Sequence, residues 1–448
     1  MSIFLSLPAG PAFTLDRLHR AGHDAFVVGG CVRDSLAGLV PHDWDICTSA
    51  PPQEICRVFA DIPQALPGIE YGTVTLLLES GPCEVTTFRV EQGYSDGRRP
   101  DGVSFTSRLE EDLARRDFTV NAMAWNPWQG LQDPFGGQED LTAGRLRCVG
   151  QPEVRFAEDG LRILRGLRFY SCRGLVPDEE CARGLHAEKH RLARVSAERC
   201  FAELWRLLAG DQVEQVLNEY ADVFFVLLPE LAPMAGFEQH NPYHCLDVWR
   251  HTARAVANGG GDPVVRLALL LHDMGKPASF FMEDGVGHFY GHASRSRDMA
   301  GPLLERLHAP ARLTKEVCRL VELHDTPIQA TRPAIRRWLN KLGEVQLRRL
   351  LAIHRADALA KTAHVLAQRL AILDQAEEIL GELLAGDACF SLKDLAVKGG
   401  DLLTAGIPQG PQVGRLLQKL LEQVLAEQLP NQKEALLRAA LELHQKEN

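Results

Sequence analysis

The stretch Val27–Thr48, VVGGCVRDSLAGLVPHDWDICT, constrains this chain more than any other. An apolar run, Ala25-Phe26-Val27-Val28, reads as a buried strand and stops at Gly29-Gly30. Two glycines after a strand let backbone N–H groups approach an anion closely. Arg33 follows, and a guanidinium suits bidentate phosphate binding. A second strand is read over Trp44–Cys47. Alternate residues of a strand share one face, so Asp43 and Asp45 are expected to point the same way. Paired carboxylates make a Mg²⁺ site when substrate phosphates complete the octahedron. The residues therefore describe a nucleoside triphosphate held over a metal-assisted phosphoryl-transfer centre.

The chain has 448 residues, enough for two to four domains. Hydrophobic residues make up 45% and charged residues 24%, which suits a globular protein with sizeable cores. A net charge of −10 argues against a general nucleic-acid coat and leaves room for a local basic groove. Eleven cysteines occur with no C-x-x-C, so a zinc ribbon or disulfide frame is not expected. The first residues, MSIFLSLPAGPAF, lack a basic stretch before a long apolar one, and no run approaches a membrane span. The expected location is cytoplasmic.

Up to about Gly150 the chain alternates helix and strand signals. They comprise a helix over Phe13–His23, a helix from Pro51 through Phe59, and strands over Tyr71–Glu79 and Cys83–Arg89. A Gly-, Asp- and Arg-rich loop over Gln92–Gly102 and a helix from Leu109 follow. Beyond it the pattern is helical: Arg155–Tyr170, Ser196–Leu208 and Val213–Tyr220, then a break at Leu228–Pro233. Amphipathic helices run from Glu344 onward, clearest at Leu417–Leu429 and Lys433–Leu443.

Three further blocks carry chemistry. Arg115-Arg116-Asp117-Phe118-Thr119-Val120-Asn121-Ala122-Met123-Ala124 places an arginine pair where it can grip triphosphate oxygens. Residue type alone also fits a capped helix with exposed arginines. In Glu158-Asp159-Gly160-Leu161-Arg162, a continuous helix would put Asp159 and Arg162 on one face. Such a pair either forms an ordinary salt bridge or mimics a complementary base edge. In the second case Asp accepts from the exocyclic amine of cytosine or adenine, and Arg donates to ring nitrogen or carbonyl. Arg165 and Arg168 extend the basic face. Last, His251, His272-Asp273 and Asp357 fit an H…HD…D metal set, with His292 and His324 available for a second ion. Mixed His and Asp ligands suit Mn²⁺, Fe²⁺, Ni²⁺ or Zn²⁺ better than Mg²⁺. Asp325 competes with Asp357 as the last ligand, and the Arg355-Ala356-Asp357 context favours Asp357.

The first block resembles the GGxVRDxLxG…DxD signature of the tRNA nucleotidyltransferase and bacterial poly(A) polymerase family, which has a polymerase β-like catalytic domain. The second resembles that family's RRDFTxNAMA motif. The third resembles its EDxxR motif, and Val195-Ser196-Ala197-Glu198-Arg199 its SxER segment. The histidine block resembles the HD phosphohydrolase superfamily. These resemblances imply an α/β nucleotidyltransferase head over 1–150, a helical RNA-binding neck over 151–235, an HD metal-binding domain over 236–365 and a tRNA-contacting helical tail over 366–448. The implied activity is template-independent addition of CCA to the 3′ end of tRNA from CTP and ATP. Asp43 and Asp45 would hold Mg²⁺, and Gly30, Arg33 and Arg116, with Arg165 and Arg168, would bind the nucleotide phosphates. Asp159 and Arg162 would choose the base, with Asp117, Asn121 and the SxER segment in support. Specialised CC-, A- or poly(A)-adding enzymes share this head. The loop Gln92–Gly102, with Asp96, Arg98 and Arg99, favours full CCA or A addition. Two alternatives of another class are an HD phosphohydrolase whose head only binds nucleotide, and an inactive RNA-binding module. The intact carboxylates and RRD block weigh against both.

Overall fold

The computed structural model describes residues 5–94, 100–243, 245–385 and 391–447, and divides into two compact units, 1–229 and 230–448. Asp96, Arg98 and Arg99 lie outside the described residues. Among the described residues no helix is long and apolar enough to cross a membrane, and the ten cysteines described are free thiols.

The first unit is built on a mixed seven-stranded sheet. In chain order its strands are β1 (Ala25–Val28), β2 (Ile46–Thr48), β3 (Gln64–Ala65), β4 (Thr73–Leu78) and β5 (Gly81–Thr87). A separate hairpin, β6 (Arg89–Gln92) and β7 (Gly102–Phe105), precedes β8 (Ala124–Asn126) and β9 (Gly130–Gln132). The order across the sheet is β3-β4-β5-β2-β1-β8-β9, and β2 and β5 are the parallel pair. All four residues of β1 are buried, because both sheet faces are covered. Val27 packs on one side with Leu15, Leu18, Ile55 and Trp125; Phe26 and Val28 pack on the other with Phe88 and Leu113. The two-residue period of a strand thus feeds two cores at once.

Several expectations shift in detail. The helix expected over Phe13–His23 runs Ala9–Arg20 and stops before Gly22, which takes φ +87°. Asp43 and Asp45 lie ahead of β2 rather than within it, although the Asp45 carbonyl accepts from Val28 N–H at 3.0 Å and extends the ladder by one residue. The arms of the Gln92–Gly102 loop pair as β6 and β7.

The largest departure concerns the Arg155–Tyr170 segment, which is two helices, Pro152–Glu158 and Leu161–Arg173. Asp159 is extended (φ −144°, ψ 107°), so it does not share a helix face with Arg162. Gly160 explains the break. A Cβ there would lie 3.0 Å from the Arg191 carbonyl oxygen and 3.1 Å from Val195, so the turn Lys189–Arg194 packs against bare backbone.

The second unit is helical. Its main helices are Val248–Asn258, Pro263–Leu271, His292–Arg306, Ala311–Leu323, Arg332–Leu359 and Ala363–Ala385. Gly343 (φ 73°, ψ 169°) breaks the fifth. A domain limit at 365/366 would cut the last of these helices near its start. Beyond it, Leu402, Leu416, Leu420, Val424, Leu436 and Ala440 form a core of their own. This core joins the helices Pro411–Leu425 and Lys433–Glu447, close to the amphipathic stretches expected there.

Candidate active site and metal centre

The Gly29-Gly30 turn follows β1 directly. Gly29 has φ +78°, a conformation that side chains resist, and a Cβ on it would sit 3.0 Å from Arg116 Nη1. Glycine here lets the Arg116 guanidinium lie against the turn. Arg116 donates through Nη2 to Asp112 at 3.3 Å, and its buried Nε has no hydrogen-bond partner. Its neighbour Arg115 is committed elsewhere, to Asp112 and Glu91 at 2.9 Å each. The two arginines therefore divide into one structural residue and one that faces the site.

Asp43 and Asp45 are both open to solvent. The Asp45 carboxyl is nevertheless pushed above the usual carboxylate range, chiefly by desolvation; Asp43 adds to the rise and Arg116 opposes it. A third carboxylate escaped the sequence reading. The parallel register sets Ile46 beside Val85, which brings Glu84 of β5 next to Asp45. Glu84 is also raised, by desolvation and then by Asp45 and Asp43. The missed signal was strand pairing, because the residues are 39 apart and no local pattern links them. Three oxygen donors crowded at mutual electrostatic cost fit a hard divalent cation.

Behind this edge lies a basic cluster. The guanidiniums of Arg33, Arg165 and Arg168 lie 5.0, 5.9 and 4.5 Å from the centre of the Phe169 ring. Asp117 anchors it. Oδ2 accepts from Arg165 at 3.0 and 2.7 Å, and Oδ1 accepts from Phe118 N–H at 2.8 Å and Asn121 Nδ2 at 2.9 Å. Burial opposes the Asp117 charge, but Arg165 and Asn121 hold its pKa far below the usual value. Asn121 in turn accepts from Arg33, so a single carboxylate fixes two arginines. Arg168 donates to Glu203 at 2.6 Å.

Asp159 and Arg162 are placed close in sequence and held separately. Asp159 accepts from Leu161 N–H at 3.0 Å and from Arg199 Nη2 at 2.6 Å. Arg199 is the last residue of the Ser196–Arg199 segment, so the third block and this segment meet as one ion pair. Arg162 pairs with Glu158 and donates to the carbonyls of Arg155 and Arg115, each at 3.1 Å.

In the second unit all six histidine and aspartate residues named from the sequence are buried and come together. His251 Nε2 lies 3.0 Å from Asp357 and 3.6 Å from Asp273; His272 Nε2 lies 3.1 Å from Asp273 and 3.8 Å from Asp357. His292 and His324 Nε2 lie 3.4 and 3.6 Å from the other Asp273 oxygen, and 3.1 Å from each other. Asp357, not Asp325, belongs to this cluster. Each Nδ1 faces a main-chain carbonyl: Leu269 at 2.6 Å from His272, Phe289 at 2.9 Å from His292, Val321 at 2.7 Å from His324, and Ala360 at 3.3 Å from His251. Such contacts fix the tautomer that turns Nε2 inward as a lone-pair donor. The buried His272 Nε2 makes no hydrogen bond. Burial disfavours charging His272, yet the carboxylates outweigh it and raise its pKa to about 9. Burial pulls the His251 and His324 pKa values down, and imidazole nitrogens and carboxylate oxygens this close together are a donor set that would suit a transition metal.

A mixed-sheet head with clustered carboxylates beside an arginine-lined glycine turn defines a nucleotidyltransferase. Comparison with known proteins agrees. The Poly A polymerase head domain matches residues 25–147, an RNA and SrmB-binding site of polymerase A matches 174–234, and tRNA nucleotidyltransferase domain 2 matches 291–440. The CCA-adding enzyme of Levilactobacillus brevis is 34% identical over 95% of both chains, and that of Bacillus velezensis 33% over 94% of both. The crystal structure of the Bacillus stearothermophilus CCA-adding enzyme in complex with CTP is 26% identical, covers 97% of both chains and superposes with a TM-score of 0.69. The chain belongs to the CCA-adding enzyme family.

Proposed function

We propose that this chain completes the 3′ end of tRNA by adding C, C and A in turn from CTP and ATP, without a nucleic-acid template. The observation that supports it best is the position of Arg116 between the Gly29 turn and the carboxylates. The close relatives' name, CCA-adding enzyme, gives the reading its product. Asp43, Asp45 and Glu84 would hold Mg²⁺, which when bound lowers the pKa of the primer 3′-hydroxyl and neutralises the leaving pyrophosphate. The Gly30 backbone, Arg33 and Arg116 bind the triphosphate, with Arg165 and Arg168 continuing the positive surface. Asp159 and Arg162 select the base. Asp159 accepts from the exocyclic amine shared by cytosine and adenine, and Arg162 donates to the ring. The neck and tail helices hold the tRNA by shape and phosphate contacts, since A-form RNA exposes little sequence.

The deciding experiment incubates tRNA lacking CCA with CTP, ATP or both, read on a sequencing gel. CTP alone should add two residues and both nucleotides three. A stop at two residues with both present would make the chain a CC-adder, and a ladder with ATP alone a poly(A) polymerase. Base choice is tested separately. Asp159→Ala or Arg162→Ala should reduce the preference for CTP over UTP by about 10- to 100-fold, the usual worth of a lost base-edge contact. The change should appear mainly in discrimination, with triphosphate binding weakened less. An unchanged CTP/UTP ratio would return these residues to a structural role with Arg199 and Glu158.

The histidine–aspartate cluster supports a second activity in the same chain, metal-dependent hydrolysis of phosphate esters such as a 2′,3′-cyclic phosphate or a 2′-phosphate at an RNA end. Lys276 lies 2.7 Å from Asp273, and Lys361 2.5 Å from Asp357, so two ammonium groups sit where phosphate oxygens would arrive. A damaged 3′ terminus must be trimmed to a hydroxyl before it can accept CMP, which links the two activities chemically.

A further inference from the structure

Beside the histidine–aspartate cluster is a small hairpin, Phe281–Glu283 paired with Val286–His288. Its turn residues Asp284 and Gly285 both have positive φ, 49° and 77°, the conformation of a tight two-residue hairpin turn. Phe281 and His288 stand directly opposite across the strands, their rings 5.5 Å apart and within 24° of parallel. Tyr290 joins them, 5.3 Å from His288 and 27° from its plane. Phe281 is 40% exposed and Tyr290 70% exposed. Two exposed rings grouped with a half-buried histidine form an aromatic surface open to a ligand.

Two features tie this group to the cluster. His288 and Tyr290 line a cavity of about 300 Å³ together with Asp273, His292, Lys276 and Arg369. Moreover, the hairpin is anchored. Gly287 N–H donates to the His240 carbonyl at 2.8 Å, and a Cβ on Gly287 would lie 2.3 Å from the Gln239 carbonyl oxygen. Gln239 also accepts from Lys276 Nζ at 2.8 Å. The rings are therefore held at a fixed distance from the groups that would meet a phosphate.

We propose that Phe281, His288 and Tyr290 form a base-stacking platform for the end of a single-stranded RNA, setting its terminal phosphate over the histidine–aspartate cluster. Aromatic faces stack on any base, and lysine and arginine at the same mouth complement the backbone charge. An apolar peptide would find no use for those cations. The proposal rests on the phosphohydrolase reading for its chemistry, and names the substrate as an unpaired RNA terminus rather than a free phosphomonoester.

The test uses the full chain and a short single-stranded RNA ending in a 2′,3′-cyclic phosphate, with 2-aminopurine as the penultimate base. Stacking on the platform should quench its fluorescence on binding to wild type. The double variant Phe281→Ala, Tyr290→Ala should lose the quench and weaken binding about ten-fold or more. It should raise KM for hydrolysis with kcat kept, which also confirms that the second unit is folded, and leave CMP incorporation into tRNA unchanged. Tyr290→Phe, which keeps the ring, should behave as wild type. Equal quench and affinity in wild type and the double variant would overturn the platform. Quenching that depends on the two rings, with no hydrolysis by either protein, would retain the platform and remove the phosphohydrolase. Hydrolysis with unaltered KM in the double variant would do the reverse.

Discussion

Asp45→Ala should lower incorporation of both CMP and AMP on the order of 10³-fold or more, since losing about 4 kcal/mol of metal-borne transition-state stabilisation has that effect. tRNA binding should survive, because the proposed tRNA contacts lie on other elements. Stability should not fall. The Asp45 pKa is raised in the folded protein by desolvation and Asp43. For an acid with a raised folded pKa, the stabilising contribution is present below the unfolded value and disappears as pH rises through the folded one. At neutral pH the ionised group therefore works against folding, and removing it relieves repulsion at a site kept for function. Glu84→Gln should show the same signs with a smaller loss of rate. The checks are single-turnover CMP incorporation and thermal melting. Near-normal CMP addition by Asp45→Ala would remove the proposed metal site, and a marked fall in melting temperature would show that the carboxylate serves the fold.

How much of this site was legible in the sequence depended on how local each signal was. The strand before Gly29-Gly30 was read to the residue, because four consecutive apolar residues ending in two glycines have few structural meanings. The helix Leu109–Ala114 before the arginine pair was also visible. Glu84 was not, because its position follows from a register between strands far apart in sequence. The geometry of Asp159 was misread for a related reason. Its flanking residues favour helix, and the break comes from the close approach of Lys189–Arg194 to Gly160, a tertiary contact that overrides local preference. The pairing of Arg199 with Asp159 belongs to the same contact. By contrast, the six histidine and aspartate residues named from the sequence lie on five helices and their ends, and the fold buries them together, where each polar group needs another as its partner.

The second large effect is expected in that cluster. His272→Ala and Asp273→Ala should each abolish tightly bound transition metal and any hydrolysis of 2′,3′-cyclic nucleotide or of tRNA ending in a cyclic phosphate. His272 and Asp273 are neighbours at the end of one helix and lie within 3.8 Å of side chains from four other segments. His272 belongs to both candidate ligand groups, so its removal takes a donor from each. Asp273 lies between two histidines, with one oxygen 3.1 Å from His272 and the other 3.4 Å from His292. The two variants should also differ in stability. Asp273→Ala leaves Lys276 and the histidines buried without their central anion, a large penalty because an unpaired buried charge is costly. His272→Ala removes one imidazole and leaves Asp273 paired with Lys276 at 2.7 Å, so its melting temperature should fall less. Metal content by atomic emission and hydrolysis in metal-replete buffer are the measurements. CMP addition should persist in His272→Ala, because the carboxylates, the glycine turn and the arginine cluster all belong to the first unit. Wild-type protein that binds no transition metal and hydrolyses neither substrate would leave the cluster a structural role alone. Hydrolysis that persists in both variants would place that activity outside the cluster.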